Sequence, residues 1–506
     1  MKVFTVILSL FSLIIFDACT TSKNQQVTTT SLRNDARKIE QDKVLIKWME
    51  HKIDTVMVQN NIPAISVGII KNGKVILSKG FGVHKRDGDK KATETSIYQI
   101  ASDTKKMTGM IAKYLVNDGV LNLDTPIIDY LGNTLEKKAQ ERLKGITMRL
   151  LLIHKSGLPY RQVTIRRKGN EPMKIPYSEK DIINDLNKVE LKSEPNTKFG
   201  YSNFGYAVAG YICEQASGKK YVELVEQYIS KNYEMPNTTT VLTEQQQKNL
   251  VTPYMKEDRN QETQAFVMGK LAAAGGVFSN INDLTNLMLR QINAFTTYEP
   301  NTQSFNPLIL HDKPNVKEDG YGFGMGKKVF DTGIQFGHGG DMDGFASGYV
   351  FSPNYKSGII LLTSSGGHWV GELEKELFYK LTNRKYTPPK KSIAEEVYNI
   401  ILSKGYKEGE KWLKAYQNSN QYYLKEEEMN NVGYALLQQQ RNDDALSVFK
   451  LNVELFPTSA NVYDSLGETY LKEGNKELAI QNYKKSLELN PKNENAIKVL
   501  KQLEDR

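Results

Sequence analysis

The order of apolar and polar positions divides this chain into stretches of different character. Val3 to Phe16 is an apolar run of fourteen residues behind Lys2, broken only by small hydroxyl side chains. A spanning helix needs about 18 or more apolar residues, so the run fits the h-region of an export signal. No later segment is long and apolar enough to span a bilayer. Residues 20–38 are polar and predict a flexible tether. A hairpin follows: Ile65–Lys71 and Lys74–Gly80 are β-rich, and Asn72-Gly73 between them is the residue pair of a type I′ turn.

From Asp103 to about Leu289 the period becomes helical. Met107–Val116, Ile182–Leu191, Phe204–Glu214 and Tyr221–Ile229 carry apolar residues at helix spacing, punctuated by Pro126, Pro159, Pro195 and Pro236. Strands then return at Gly322–Phe330, whose small and large residues alternate. Phe345–Ser352 and Gly358–Ser364 predict a second hairpin across Pro353-Asn354. Strands at both ends with helices between them predict one sheet drawn from both halves of the sequence. That is an α+β domain with an inserted helical region, placed at residues 39–387.

Pro388 to Lys391 reads as a linker, and beyond it a 34-residue period is visible. Gly433 recurs as Gly467, Ala445 as Ala479, Phe449 as Tyr483 and Pro457 as Pro491. Period and positions are those of the tetratricopeptide repeat, a stacked helix pair. Residues 388–425 are read as linker and degenerate first unit, and 426–506 as the all-α array with a capping helix from Asn495. Such an array docks a protein partner or packs as a structural cap.

Composition narrows the function classes. The net charge is +9, but the lysines are spread along the chain with no basic stripe interleaved with aromatics. Nucleic acid is therefore not an expected partner. Two cysteines are too few for a disulfide framework. Cys213 falls in an apolar helical stretch and reads as a buried small hydrophobe. Cys19 follows Asp17-Ala18 at the end of the apolar run. A small residue before cysteine there resembles a bacterial lipobox, although Phe16 and Asp17 are unusual at their places. It makes 1–19 a lipoprotein-type signal with Cys19 the lipidated residue, the alternatives being a plain secretory signal or an uncleaved anchor. Either way the body of the protein is expected outside the cytoplasm, on the periplasmic or outer face of a membrane. His51, His84, His311 and His368 form no metal-binding pattern, and no cofactor is implied.

The candidate chemistry centres on Ile100-Ala-Ser102-Asp-Thr-Lys105. Ser102 and Lys105 are three apart, which on a helix places them on one face. A serine hydroxyl needs a base to take its proton, and an amine serves once burial lowers its pKa. Alone, this spacing reads as an N-cap serine with a surface lysine. Two further segments change the weighing. Tyr201-Ser-Asn203 follows a Pro-containing turn and precedes a helix. His338-Gly339-Gly340-Asp341 precedes a strand, where glycine lets backbone approach a ligand.

Taken together in this order, the segments resemble the three motifs of the serine β-lactamase and penicillin-binding-protein superfamily. The resemblance is strongest to its class C-like branch of β-lactamases, D-amino-acid peptidases and esterases. Leu121–Pro126, Ile146–Pro159 and Ala274–Ser279 are similar to further elements of that branch, and the likeness spans roughly residues 45–380.

The resemblance implies an antiparallel sheet with flanking helices and a set of roles. Ser102 is the nucleophile of an acyl-enzyme, and Lys105 and Tyr201 share the base role with His338 assisting. Which of the three finally takes the proton stays open. Asn203 orients the substrate amide or the lysine. Gly339, Gly340 and Asp341 line the substrate, with the Ser102 and Asp341 N–H groups as oxyanion donors. His154 is expected to be structural, bonding backbone. His338 and Gly339 stand where lysine and threonine are usual, which removes a cation and a hydroxyl that would hold a substrate carboxylate. Small esters, D-amino-acid peptides and β-lactam or peptidoglycan-type substrates are the expected classes. The rival reading is a non-catalytic or single-turnover penicillin-recognising sensor that scaffolds through its repeats.

Overall fold

The computed structural model describes residues 20–161, 176–256, 258–299, 305–388 and 390–504. The expected signal segment with Cys19 lies outside them. The chain divides into two compact units, Met1–Tyr386 and Thr387–Arg506.

The first unit is built on a seven-stranded antiparallel sheet. Its strands are β1 (Ala64–Lys71), β2 (Lys74–Gly82), β3 (Gly320–Tyr321), β4 (Gly326–Phe330), β5 (Gly333–Met342), β6 (Phe345–Ser352) and β7 (Ser357–Thr363). Their order across the sheet is β2-β1-β7-β6-β5-β4-β3. The N-terminal hairpin is thus an edge pair that joins the C-terminal strands through β1 and β7. Ile65 faces Thr363, and Gly68 faces Ile360. Asn72 and Gly73 have φ of 50° and 74°, as a type I′ turn requires. The central strands β6 and β7 are buried along their whole length. Their near-continuous apolar runs reflect cover on both faces.

Two cores follow from that cover. On one face, helix α1 (Thr20–Asn60) and a helix at Trp369–Leu381 pack Met49, Ile53, Leu373 and Leu377 against Ile65, Val67 and Leu361. On the other, a helix at Ile281–Thr296 and the inserted helical region bury Met107, Ile111, Phe204, Leu284 and Met288 with Ile360 and Leu362. The helical region includes α2 (Thr104–Asn117) and α3 (Asn203–Ser217), the latter carrying the buried Cys213.

Two local expectations are corrected. Residues 20–38, expected as a tether, are the first part of the continuous helix α1. Once residues from Leu45 onward nucleate a packed helix, adding turns fixes few further dihedrals per hydrogen bond. The strand expected over 322–330 begins only at Gly326. Gly324, at φ 88°, presses the chain onto α2: a Cβ there would lie 2.3 Å from the Lys105 carbonyl carbon. Small–large alternation at 322–325 therefore records close approach to a helix rather than a pleat.

The second unit has its own apolar core. Helices at Glu426–Gln438 and Asn442–Leu455, then Ala460–Lys472 and Lys476–Leu489, form two pairs. Helices at Ile393–Lys404 and Tyr406–Tyr416 precede them, and Glu494–Glu504 follows. The repeating glycines allow the helices to close. A Cβ on Gly433 would lie 2.5 Å from the Phe449 ring, and one on Gly467 would lie 3.2 Å from Tyr483.

Candidate active site

Ser102 sits in a single 3-10 turn, Ala101–Asp103, that opens directly into α2. Ala101 has φ of 50°, a left-handed conformation costing an L-residue roughly 1–2 kcal/mol. The surroundings hold it there. Ile100 N–H donates to Val277 O at 2.9 Å, and Ser347 Oγ donates to Ile100 O at 2.8 Å. Strand β5 crosses the turn so closely that a Cβ on Gly340 would lie 2.3 Å from Ile100 O. Only glycine permits that approach.

Lys105 lies one turn along α2 and is fully buried. Its Nζ is 3.1 Å from Ser102 Oγ, 2.7 Å from Asn203 Oδ1 and 2.7 Å from Ala274 O. Burial holds its pKa well below the usual lysine value. Asn203 begins α3, so the second motif delivers its amide to the lysine. Asn203 N–H also donates to Tyr160 O at 3.0 Å.

The Tyr201 ring lies under the lysine, 5.0 Å from Nζ to its centroid. Burial pushes its phenol pKa above the ordinary 10, and a hydrogen bond with Ser102 opposes the rise. His154 stacks on Tyr201 at 4.2 Å between ring centroids. Its Nδ1 accepts from Ser202 N–H at 3.1 Å, and burial, then Lys105, lowers its pKa to about 2. His154 is thus the expected backbone-bonded histidine, and it fixes the turn that carries Tyr201.

The third motif arrives on β5. His338 is 6.1 Å from Tyr201 between ring centroids, and its Nδ1 donates to Gly339 O at 2.6 Å. Burial and then Lys105 hold its pKa near 3, so the ring is neutral at pH 7. The Asp341 carboxylate meets Gly367 and Lys256. Oδ1 accepts from Gly367 N–H at 3.2 Å, and Oδ2 is 3.7 Å from Lys256 Nζ.

The fold therefore brings Ser102, Lys105, Tyr201, Asn203 and His338 to one place, with Gly340 packed on the turn that carries Ser102. Several residues were not among the expected site residues, although Ala274 opens the Ala274–Ser279 element noted in the sequence. The Ala274 carbonyl bonds the lysine. Tyr321 packs on His154, Tyr201 and His338, with ring centroids 4.8, 6.5 and 5.8 Å away. Phe199 and Tyr160 stand beside His154 and Tyr201 with about half their surface exposed.

The match to known families fits this geometry. The Beta-lactamase family model covers residues 49–377. The chain belongs to the β-lactamase family. A Tetratricopeptide repeat model covers residues 460–493. "Protein flp" of Staphylococcus aureus strain MW2 is 25% identical over 363 residues, 70% of this chain and 71% of its own. "Unguisins hydrolase ungD'" of Aspergillus campestris is 22% identical over 342 residues, 64% of this chain and 62% of its own.

Among solved structures, the octameric penicillin-binding protein homologue from Pyrococcus abyssi superposes with a TM-score of 0.55 at 23% identity. The match covers 67% of this chain and 78% of that one. A class C β-lactamase from Rhodobacter sphaeroides gives 0.54 at 15% identity, over 66% of this chain and 98% of that one. At these identities the structural likenesses show the fold: the sheet and inserted helical region of this β-lactamase-family chain.

Proposed function

We propose that this protein hydrolyses small esters or D-amino-acid peptides through an acyl-enzyme on Ser102, with neutral Lys105 as the base. The observation that carries the reading is the coordination of Lys105 Nζ. Ala274 O can only accept, and so can the Asn203 amide oxygen. Nζ also donates to Ser102 Oγ; once it has lost a proton, the amine keeps both acceptors with its two N–H bonds and turns its lone pair to the Ser102 hydroxyl. Burial favours that neutral form.

The steps follow. Ser102 Oγ attacks the substrate carbonyl carbon while its proton passes to Lys105 Nζ. The tetrahedral oxyanion is received by backbone N–H groups, assigned to Ser102 and Asp341. As the carbonyl–leaving-group bond breaks, the proton returns from Lys105 to the leaving atom through the phenol of Tyr201. That phenol stays protonated because burial raises its pKa. Water then attacks the acyl-enzyme along the same proton path in reverse and releases the acid.

The substrate class rests on the third motif. Neutral His338 supplies no permanent charge where a lysine is usual, which favours neutral esters and amides over substrates anchored by a carboxylate.

The test is p-nitrophenyl butyrate turnover by residues 20–506, wild type against Ser102→Ala. Steady turnover abolished in the variant is expected, and equal turnover in both would remove Ser102 from the reaction. A single burst with no steady phase would favour a penicillin-recognising sensor instead.

We also propose export as a lipoprotein, on the apolar run ending at Cys19. Palmitate incorporation that survives Cys19→Ala would count against it. The repeats are proposed to dock a protein partner. A bait of residues 388–506 that retains no protein absent from a 20–387 control would refute this.

A further inference from the structure

Two buried charges beside the nucleophile take no part in that proton path. Asp103 directly follows Ser102, and Lys106 directly follows Lys105. Both side chains are fully buried, with Lys106 Nζ 2.5 Å from Asp103 Oδ2. The same ammonium lies over the Tyr349 ring of β6, 3.3 Å from its centroid. Glu374, from the helix at Trp369–Leu381, approaches the same point of β6. A Cβ on Gly348 would lie 2.9 Å from its Oε1, and that oxygen is buried without a hydrogen-bond partner. Three ionisable groups thus meet around residues 348–349 of the sheet, directly behind the Ser102 turn.

Stability does not account for the arrangement. Desolvating two charges generally cancels what their attraction returns, and apolar residues of the same volume commonly stabilise as well or better. What the pair does provide is a short buried contact between two charges, made without hydrogen-bond alignment: neither Lys106 Nζ nor either Asp103 oxygen has a hydrogen-bond partner. It joins the last residue of the 101–103 turn to the first turn of α2 and clamps Lys106 onto β6. The turn it ties contains Ala101 in a left-handed conformation. An unrestrained turn relaxes away from such a conformation, taking Ser102 Oγ with it.

We propose that Asp103 and Lys106 are positioning residues for Ser102, their buried ion pair holding the strained turn so that Oγ stays within reach of Lys105 Nζ. The inference rests on the acyl-enzyme reading above. Loss of the pair leaves substrate contacts in place and moves the attacking oxygen. A displacement of about 1 Å at a reacting atom can lower a rate roughly 100-fold. The signature is therefore a fall in kcat and in nucleophile reactivity with KM little changed.

The test uses residues 20–506 as wild type, Asp103→Asn, Lys106→Met and the double variant. Three quantities are read: the rate at which a fluorophosphonate labels Ser102, the kcat and KM for p-nitrophenyl butyrate, and the melting temperature. Lys106→Met strands a buried carboxylate and is expected to melt early. The double variant strands no charge, only a buried amide, and is expected to recover most of the melting temperature lost in Lys106→Met. Asp103→Asn keeps the side-chain shape but strands the Lys106 amine, whose pKa burial already lowers to about 8, so it is expected to fold with a lowered melting temperature. In both of these folded proteins, labelling and kcat are expected to fall about 10- to 100-fold, with KM within about two-fold. Wild-type labelling and kcat in Asp103→Asn or in the double variant would overturn the proposal and leave the pair a packing feature. Failure of the underlying reading looks different: the wild-type protein itself would carry no label on Ser102.

Discussion

Lys105 Nζ lies 3.1 Å from Ser102 Oγ and bonds two groups that can only accept, Asn203 Oδ1 and Ala274 O, at 2.7 Å each. An amine so placed on a buried stem is oriented before substrate arrives. It keeps one position free for the serine proton.

Lys105→Met removes the base and leaves a side chain of similar length beside the Tyr201 and Tyr206 rings. The variant is expected to fold. Its kcat/KM for p-nitrophenyl butyrate should fall about 100- to 10,000-fold, the usual worth of a positioned base. Steady-state kinetics alongside circular dichroism check this, and a loss below about ten-fold would shift the base role to Tyr201.

Tyr201→Phe keeps the ring that stacks on His154 and deletes only the phenol oxygen. If that oxygen carries the proton to the leaving group, the cost depends on the leaving group. Ethyl butyrate, whose alkoxide leaves poorly, should lose about 100-fold or more. The p-nitrophenyl ester, whose anion leaves unaided, should lose markedly less. Equal losses for the two esters would contradict a proton-delivery role.

The pH profile carries a sign. A base must be neutral to act, so kcat/KM rises with pH through the pKa of Lys105. Burial places that pKa well below 10.5. The Tyr201 phenol is raised and stays protonated, and His338, near 3, is neutral throughout. A rise to a plateau, with no falling limb below about pH 10, is expected from stopped-flow rates. A bell centred near neutrality would mean that a second group must stay protonated.

Glu374 should make stability itself depend on pH. Burial, then Asp103, raises its carboxyl from 4.5 to about 8. Between those values the folded state holds more protons than the unfolded state, so stability falls as pH rises through the window. Glu374→Gln cannot ionise and escapes that fall. Its melting temperature should therefore gain on wild type between about pH 5 and pH 8.5. A constant difference across the range would show that the carboxyl ionises as freely folded as unfolded.

What was legible in the sequence follows from what sequence spacing encodes. Ser102 and Lys105 share a helix face by periodicity, and Asn72-Gly73 dictates its turn by backbone freedom. Tyr201 and Asn203 could be placed only because their motif comes ordered with the other two. The helical repeats declared themselves through the small residues at Gly433 and Gly467 that let aromatic neighbours close in. The rest of the site depends on contacts that no local pattern records. Ala274 contributes a backbone carbonyl, for which any residue would serve. Tyr321 and Glu374 reach the site from segments more than 200 positions along the chain from Ser102. At 322–325, alternation that a strand would show arises from Gly324 yielding to α2 and Gly322 yielding to Leu310 and His311. At 20–38, polar composition concealed a helix that extends from a packed one.

The central claim is that Ser102 becomes acylated and then released. The direct measurement is acid quenching of the protein during p-nitrophenyl butyrate turnover, followed by mass spectrometry of the peptide containing Ser102. One added butyryl group is expected on Ser102, gained within a turnover, lost after substrate is exhausted, and absent in Ser102→Ala. Steady turnover with that peptide unmodified at every time point, or with the butyryl group on another residue, would contradict it.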